Sequence, residues 1–133
     1  MYAILHSMLD YWRALMQDYT GVAKRNPRQL TAMIQRGVPP ALRGQIWQLF
    51  AKSKDHQLEE KFVELLQSSS THEKQITRDL SRTFPSIEYF QEGGGGQDAL
   101  FNVVKAYSLY DPEVGYCQGL SFVVGPLLLN VSG

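Results

Sequence analysis

The segment ITRDLSRTF, Ile76 to Phe84, sets an acid and an arginine three residues apart at Asp79 and Arg82. At helical spacing Ile76, Asp79 and Arg82 fall along one broad side. Two chemistries are open to the pair. As a solvated contact between neighbouring turns it contributes only about 0.2–0.5 kcal/mol. Alternatively, the acid orients the guanidinium for an anionic ligand, because the planar fork of arginine matches phosphate oxygens.

A second polar pair stands in GYCQG, where Gly115 and Gly119 bracket Tyr116 and Gln118. Flanking glycines permit tight turns and close approach of another backbone. Alternate residues of an extended segment point the same way. A glutamine presented there can hold a water, since its amide both donates and accepts. The competing reading is an interhelical turn with Tyr116 packed inward. A third segment, RGVPPALRGQIW, reads as a helix corner. Arg36 and Gly37 end one helix, Pro39 and Pro40 begin the next, and Arg43 and Trp47 sit four apart on one face. Its expected role is structural, with the arginine stacked on the indole.

Other chemistry is poorly provided for. There is no His-Glu-x-x-His, no cysteine pair for zinc and no Gly-x-Ser-x-Gly elbow. His6, His56 and His72 are scattered near helix ends and are expected to face solvent. Gly93–Gly96 lacks the Gly-Lys-Ser/Thr of a phosphate loop, so residues 91–97 read as a flexible loop.

These segments need a scaffold, and the pattern supplies short helices. Leu5, Met8, Leu9, Trp12, Leu15, Met16 and Tyr19 recur at threes and fours, and Thr20-Gly21 is the expected stop. Asn26-Pro27 opens the next helix, with Leu30, Met33 and Ile34 on its stripe. Leu42, Ile46, Leu49 and Phe50 follow, then Leu58, Phe62, Leu65 and Leu66 up to the break at Ser68–Ser70. Ser70-x-x-Glu73 is a capping-box pattern, and Phe84-Pro85 closes the helix it starts. A further helix begins near Asp98, with Leu100, Val103, Val104 and Tyr107 inward. From Gly119 the run LSFVVGPLLL is apolar on every side and needs cover on most of them. The class is all-α, a bundle of short helices.

Thirteen basic residues balance thirteen acidic ones, so no global field draws in nucleic acid or an anionic membrane. One cysteine, Cys117, excludes an internal disulfide and fits a reducing compartment. The first nine residues do not read as a secretory signal, and no apolar stretch reaches the roughly 20 residues of a spanning helix. A cytoplasmic protein is expected, touching membranes through a partner.

Together and in this order, the three segments resemble the TBC domain, the Rab GTPase-activating domain. RGVPPALRGQIW resembles its opening motif, and ITRDLSRTFP matches its Ile-x-x-Asp-x-x-Arg motif at Ile76, Asp79 and Arg82. YDPEVGYCQGLSF matches its Tyr-x-Gln motif at Tyr116 and Gln118. The stretch before RGVPP looks closest to fungal-type members. The resemblance implies that residues 1–133 are the N-terminal portion of such a domain, truncated at its C-terminal side. It also implies that Arg82 and Gln118 act as an arginine finger and a glutamine finger, inserted in trans into a Rab-family GTPase in its GTP form. Asp79 would support Arg82, and Tyr116 would place Gln118 or touch the GTPase. No cofactor or metal of its own is implied, because the GTP and magnesium belong to the GTPase. Such a protein would work in vesicle trafficking, peripheral to vesicle, Golgi or plasma membranes. The alternative is a non-catalytic Rab-binding or scaffold module that keeps the shape of the family without its second half.

Overall fold

The computed structural model describes residues 2–131, with side chains from His6 onward. Met1, Ser132, Gly133 and the side chain of Leu5 lie outside the described residues. Among the described residues every regular element is a helix, as the periodicity requires. The chain divides into two compact units, Met1–Lys54 and Asp55–Gly133.

The first unit holds α1 (Tyr2–Gln17), α2 (Tyr19–Arg25), α3 (Pro27–Arg36) and α4 (Pro40–Ala51). The expected stop at Thr20-Gly21 is displaced. The break falls at Asp18, whose carboxylate accepts the Gly21 N–H at 2.9 Å, and Gly21 lies inside α2. A good capping side chain sets the boundary here, against the weaker preference of glycine for a helix end. Asn26 caps α3 by accepting the Gln29 N–H at 3.1 Å, with Pro27 in the first turn. Gly37 ends α3 at a φ of 97°, which a side chain would resist.

The corner itself is built differently from the sequence expectation. Arg36 is exposed in the last turn of α3, where a cation complements the carbonyl end of the helix. Pro39 is the N-cap of α4, and Arg43 donates through Nη2 to the Val38 carbonyl at 3.2 Å. Trp47 is only half-buried. The indole that fills the core is Trp12, fully buried with Leu15, Met33 and Ile46. Ile46 takes the inward position on α4, and one further residue turns Trp47 about 100° around the axis. Trp12→Ala should therefore cost about 3–5 kcal/mol. Trp47→Ala should cost clearly less, read by denaturant unfolding of the two variants side by side.

The second unit is organised around α7 (Gly96–Tyr110), which packs against α5 (His56–Leu66), α6 (Glu73–Leu80) and α8 (Leu120–Asn130). Its core joins Ile76, Leu80, Phe90, Leu100, Val104, Tyr116 and Val124. The capping box before α6 forms by half. The Glu73 carboxylate accepts the Ser70 N–H at 2.8 Å, which holds its carboxyl below the usual carboxylate range. The Ser70 hydroxyl, however, accepts the His72 N–H and pairs with Ser108 of α7 at 2.7 Å. It thus ties the α5–α6 connection to the central helix. Lys105 of α7 adds to that tie by donating to the Leu66 carbonyl at 3.0 Å.

The glycine run answers a steric demand as well as offering freedom. A Cβ on Gly96 would stand 2.3 Å from the Tyr89 carbonyl oxygen, and one on Gly94 would stand 2.5 Å from the Glu88 carbonyl oxygen. The run passes directly over the short 3₁₀ turn Glu88–Phe90, and Gln97 donates to the Phe90 carbonyl at 2.8 Å. This close passage lets Phe90 sink fully into the core beneath α7 and α8.

On α8 the apolar sequence is shared between two surroundings. Ser121, Val124 and Gly125 are buried, whereas Phe122, Val123, Leu127 and Leu129 are exposed.

Candidate functional site

Asp79 sits in the last turn of α6 and Arg82 just beyond the helix, which ends at Leu80. The sequence placed the end at Phe84-Pro85. The chain instead leaves α6 in a turn closed by the Thr83 N–H on the Leu80 carbonyl at 3.0 Å. Ser81 keeps helical angles, so the three-residue spacing still brings Arg82 back over Asp79.

The pair is not a solvated surface contact. Asp79 is 4% exposed. Its carboxylate accepts one hydrogen bond from Arg82 Nη2 on one oxygen and one from the Tyr116 hydroxyl on the other. A buried carboxylate is tolerated only when charge and hydrogen bonds satisfy it, and here an arginine and a phenol divide that task. The Arg82 side chain remains 57% exposed. One terminal nitrogen of the guanidinium is tied to Asp79 while the rest of the side chain is open to solvent.

Tyr116 comes from the connection between α7 and α8, bracketed by Gly115 and Gly119, both at positive φ. Tyr116 packs inward, as the interhelical-turn reading of GYCQG has it, whereas Gln118 is exposed in the turn before α8, so these alternate residues do not share a direction. His72, expected to face solvent, is half-buried against this loop. Its ring lies 6.3 Å from that of Tyr116, and its Nε2 occupies the space a Cβ on Gly115 would need. Among the described residues no cluster of His, Cys, Asp and Glu could hold a metal.

The two segments meet in an open cleft of about 440 Å³ lined by Asp79, Arg82, Gln118, Gly119, Ser121 and Phe122. The α6 end supplies a guanidinium, and the turn before α8 supplies a carboxamide. Such a cleft offers forked donation to an anion beside an amide able to orient water. Arg36, Gly37, Pro39, Arg43 and Trp47 belong to the first unit and line no part of this cleft.

Sequence reasoning passed over Thr83 and Ser121, and took Phe84 only as a helix stop. Thr83 and Ser121 are buried hydroxyls facing each other at 2.9 Å, and Phe84 takes a φ of 49°, rare for a bulky side chain. The available signal was the lone serine in LSFVV, a polar side chain inside an apolar run that demands a partner.

The Rab-GTPase-TBC domain family matches residues 40–132. The chain belongs to the Rab-GTPase-TBC domain family. The matched stretch of this TBC chain begins at the first turn of α4 and includes every residue of the cleft. The chain is 42% identical over 121 residues to the ecotropic viral integration site 5 ortholog of Drosophila melanogaster, covering 90% of this chain and 15% of that protein. It is 43% identical over 123 residues to the GTPase-activating protein GYP5 of Eremothecium gossypii, covering 92% of this chain and 14% of that protein. With the GYP5 of Saccharomyces cerevisiae it shares 42% over 121 residues, 91% of this chain and 13% of that protein. The TBC chain thus spans about a seventh of the length of these relatives, which are animal as well as fungal.

Burial of Tyr116, and then its bond to Asp79, push its phenol well above the ordinary tyrosine range. The folded state keeps this proton after an unfolded tyrosine loses it near pH 10. The resulting stability is therefore complete below about pH 10 and is lost as pH rises further. Tyr11 and Tyr107 shift in the same direction, chiefly through burial. Thermal unfolding followed from pH 8 to 11 should show a falling midpoint above about pH 10. Tyr116→Phe should flatten that fall without abolishing it. An unaltered slope in Tyr116→Phe would mean that the phenol is in contact with water.

Proposed function

We propose that this chain stimulates GTP hydrolysis by a Rab-family GTPase in its GTP form, lending Arg82 and Gln118 to the active site of the partner. One observation carries the reading: both side chains are exposed and open into the same cleft, while the acid behind Arg82 is buried. Hydrolysis places negative charge on the phosphoryl oxygens and requires a water in line with the bond that breaks. Arg82 donates to those oxygens through the N–H groups that Asp79 leaves unused. Gln118 accepts from and donates to the attacking water, which orients it. Asp79 fixes the guanidinium so that little ordering remains at the moment of reaction, and Tyr116 ties the glutamine loop to that same acid.

Family membership supports the partner class, and relatives named as GTPase-activating proteins support the activity. The chain itself is then no hydrolase. It brings no cofactor, and the nucleotide and magnesium are those of the GTPase. No helix among the described residues is long and apolar enough to cross a membrane. Residence at Rab-bearing membranes, in vesicle traffic and on the cytoplasmic side, follows from the partner.

Single-turnover GTP hydrolysis against a panel of Rab-family GTPases is the test. Arg82→Lys should lower the stimulated rate by about 10³-fold or more, because an ammonium cannot make the forked contact. Gln118→Ala should lower it by at least about tenfold. Undiminished stimulation in both variants overturns the two-finger reading. Binding of GTP-loaded GTPase without any stimulation would identify the scaffold alternative instead.

A further inference from the structure

The finger-bearing segments are joined a second time, through a pair of buried hydroxyls. Thr83 directly follows Arg82 and is 1% exposed. Ser121, three residues past Gln118 in the first turn of α8, is 3% exposed. The Thr83 hydroxyl donates to the Asp79 carbonyl at 2.6 Å and stands 2.9 Å from the Ser121 hydroxyl. Each hydroxyl has one proton. That of Thr83 is committed to Asp79, so Ser121 must be the donor across the pair. The result is a directed chain from Ser121 to Thr83 to the backbone of Asp79.

The next residue tightens the arrangement. Phe84 holds its left-handed backbone while its ring packs between Phe90, at 5.6 Å, and Phe122, at 5.0 Å. It also fills the notch of Gly125, where a Cβ would stand 2.5 Å from the ring. A strained backbone of this kind persists only where its surroundings over-determine it.

We propose that the Thr83–Ser121 hydroxyl pair is a positioning device that sets the register between Arg82 and Gln118. Resting on the reading of the cleft given above, it assigns to two buried hydroxyls, neither of them a finger, the task of keeping the two fingers at a fixed separation. The Tyr116–Asp79 bond fixes the loop before Gln118, and the hydroxyl pair fixes the helix after it. Gln118 is thereby held from both sides against the turn that carries Arg82. Small displacements of such groups cost up to about a hundredfold in rate.

The experiment uses the full protein carrying this chain, with Thr83→Val, Thr83→Ser, Ser121→Ala and the double Thr83→Val/Ser121→Ala. Thr83→Val keeps the shape, removes the acceptor and strands the buried Ser121 hydroxyl. Thr83→Ser keeps the hydroxyl. The double variant removes both polar groups, so the stranded donor disappears and the melting temperature should recover toward that of the unaltered protein. The register should not recover.

Stimulated hydrolysis is measured well below the melting temperatures, with GTP-loaded Rab-family GTPases as the probe. Thr83→Val should lower kcat by about tenfold or more while KM changes by less than about twofold. Thr83→Ser should stay near the unaltered rate, and the double variant should melt normally yet remain slow. A double variant that regains kcat along with its melting temperature overturns the proposal, because the pair would then contribute only stability. So does a Thr83→Val protein with an unaltered kcat, and in either case the Rab-activating reading stands.

If the unaltered protein stimulates no GTPase in the panel, that reading falls, and backbone amide spectra of the same variants decide the register. Thr83→Val and the double variant should both shift the Arg82 and Gln118 resonances, while those of α3 stay in place. Movement at Arg82 alone overturns the proposal.

Discussion

A single buried carboxylate organises the second unit. Asp79 could not stay at 4% exposure without partners for both oxygens. The partners it finds come from the turn after α6 and from the loop before α8. Remove the carboxylate and the Arg82 guanidinium and the Tyr116 hydroxyl lose the acceptor they share. The arrangement is asymmetric by design of its burial: the acid is enclosed and the guanidinium is not. A surface pair leaves both side chains free to wander and contributes little. This one fixes one terminal nitrogen of the arginine and leaves the other side of the guanidinium open.

Around that acid, the turn from Ser81 to Phe84 is fixed residue by residue. Arg82 is bonded to Asp79, Thr83 to both Asp79 and Ser121, and Phe84 is wedged between Phe90, Phe122 and Gly125. The unfavourable φ of Phe84 is offset by this packing. Phe90, in turn, reaches its place only because Gly94 and Gly96 pass within a Cβ radius of the 3₁₀ turn that carries it. A glycine run well away from the cleft in sequence is thus linked by packing to the turn that presents the guanidinium.

α8 serves two surroundings with one nearly unbroken apolar sequence. Of the small residues on its inner side, Ser121 donates to the Thr83 hydroxyl and Gly125 leaves room for the Phe84 ring, while Val124 enters the core. Phe122 bridges the two, packing edge-on against Phe84 and lining the cleft. Small inner side chains are what allow a turn and a helix to approach closely enough for a 2.9 Å hydroxyl contact.

The all-α class, the caps at Asn26 and Gly37, the proline start of α4 and the spacing of Asp79 with Arg82 were legible in the sequence, because each is a local property of a few neighbouring residues. The resemblance carried by three ordered motifs also lay in the sequence, and family membership bears it out. Tertiary structure alone decided which competing local signal prevailed. Trp12 and not Trp47 became the core indole, and α6 ended at Leu80 instead of running to Phe84. Whether Asp79 was solvated or enclosed could not be read from its own segment, because its burial is produced by Tyr116, 37 residues away. The Thr83–Ser121 contact spans 38 residues and escaped for the same reason. Periodicity says which side of a helix is apolar; only the folded chain says which distant group completes the hydrogen bonds of a buried polar atom.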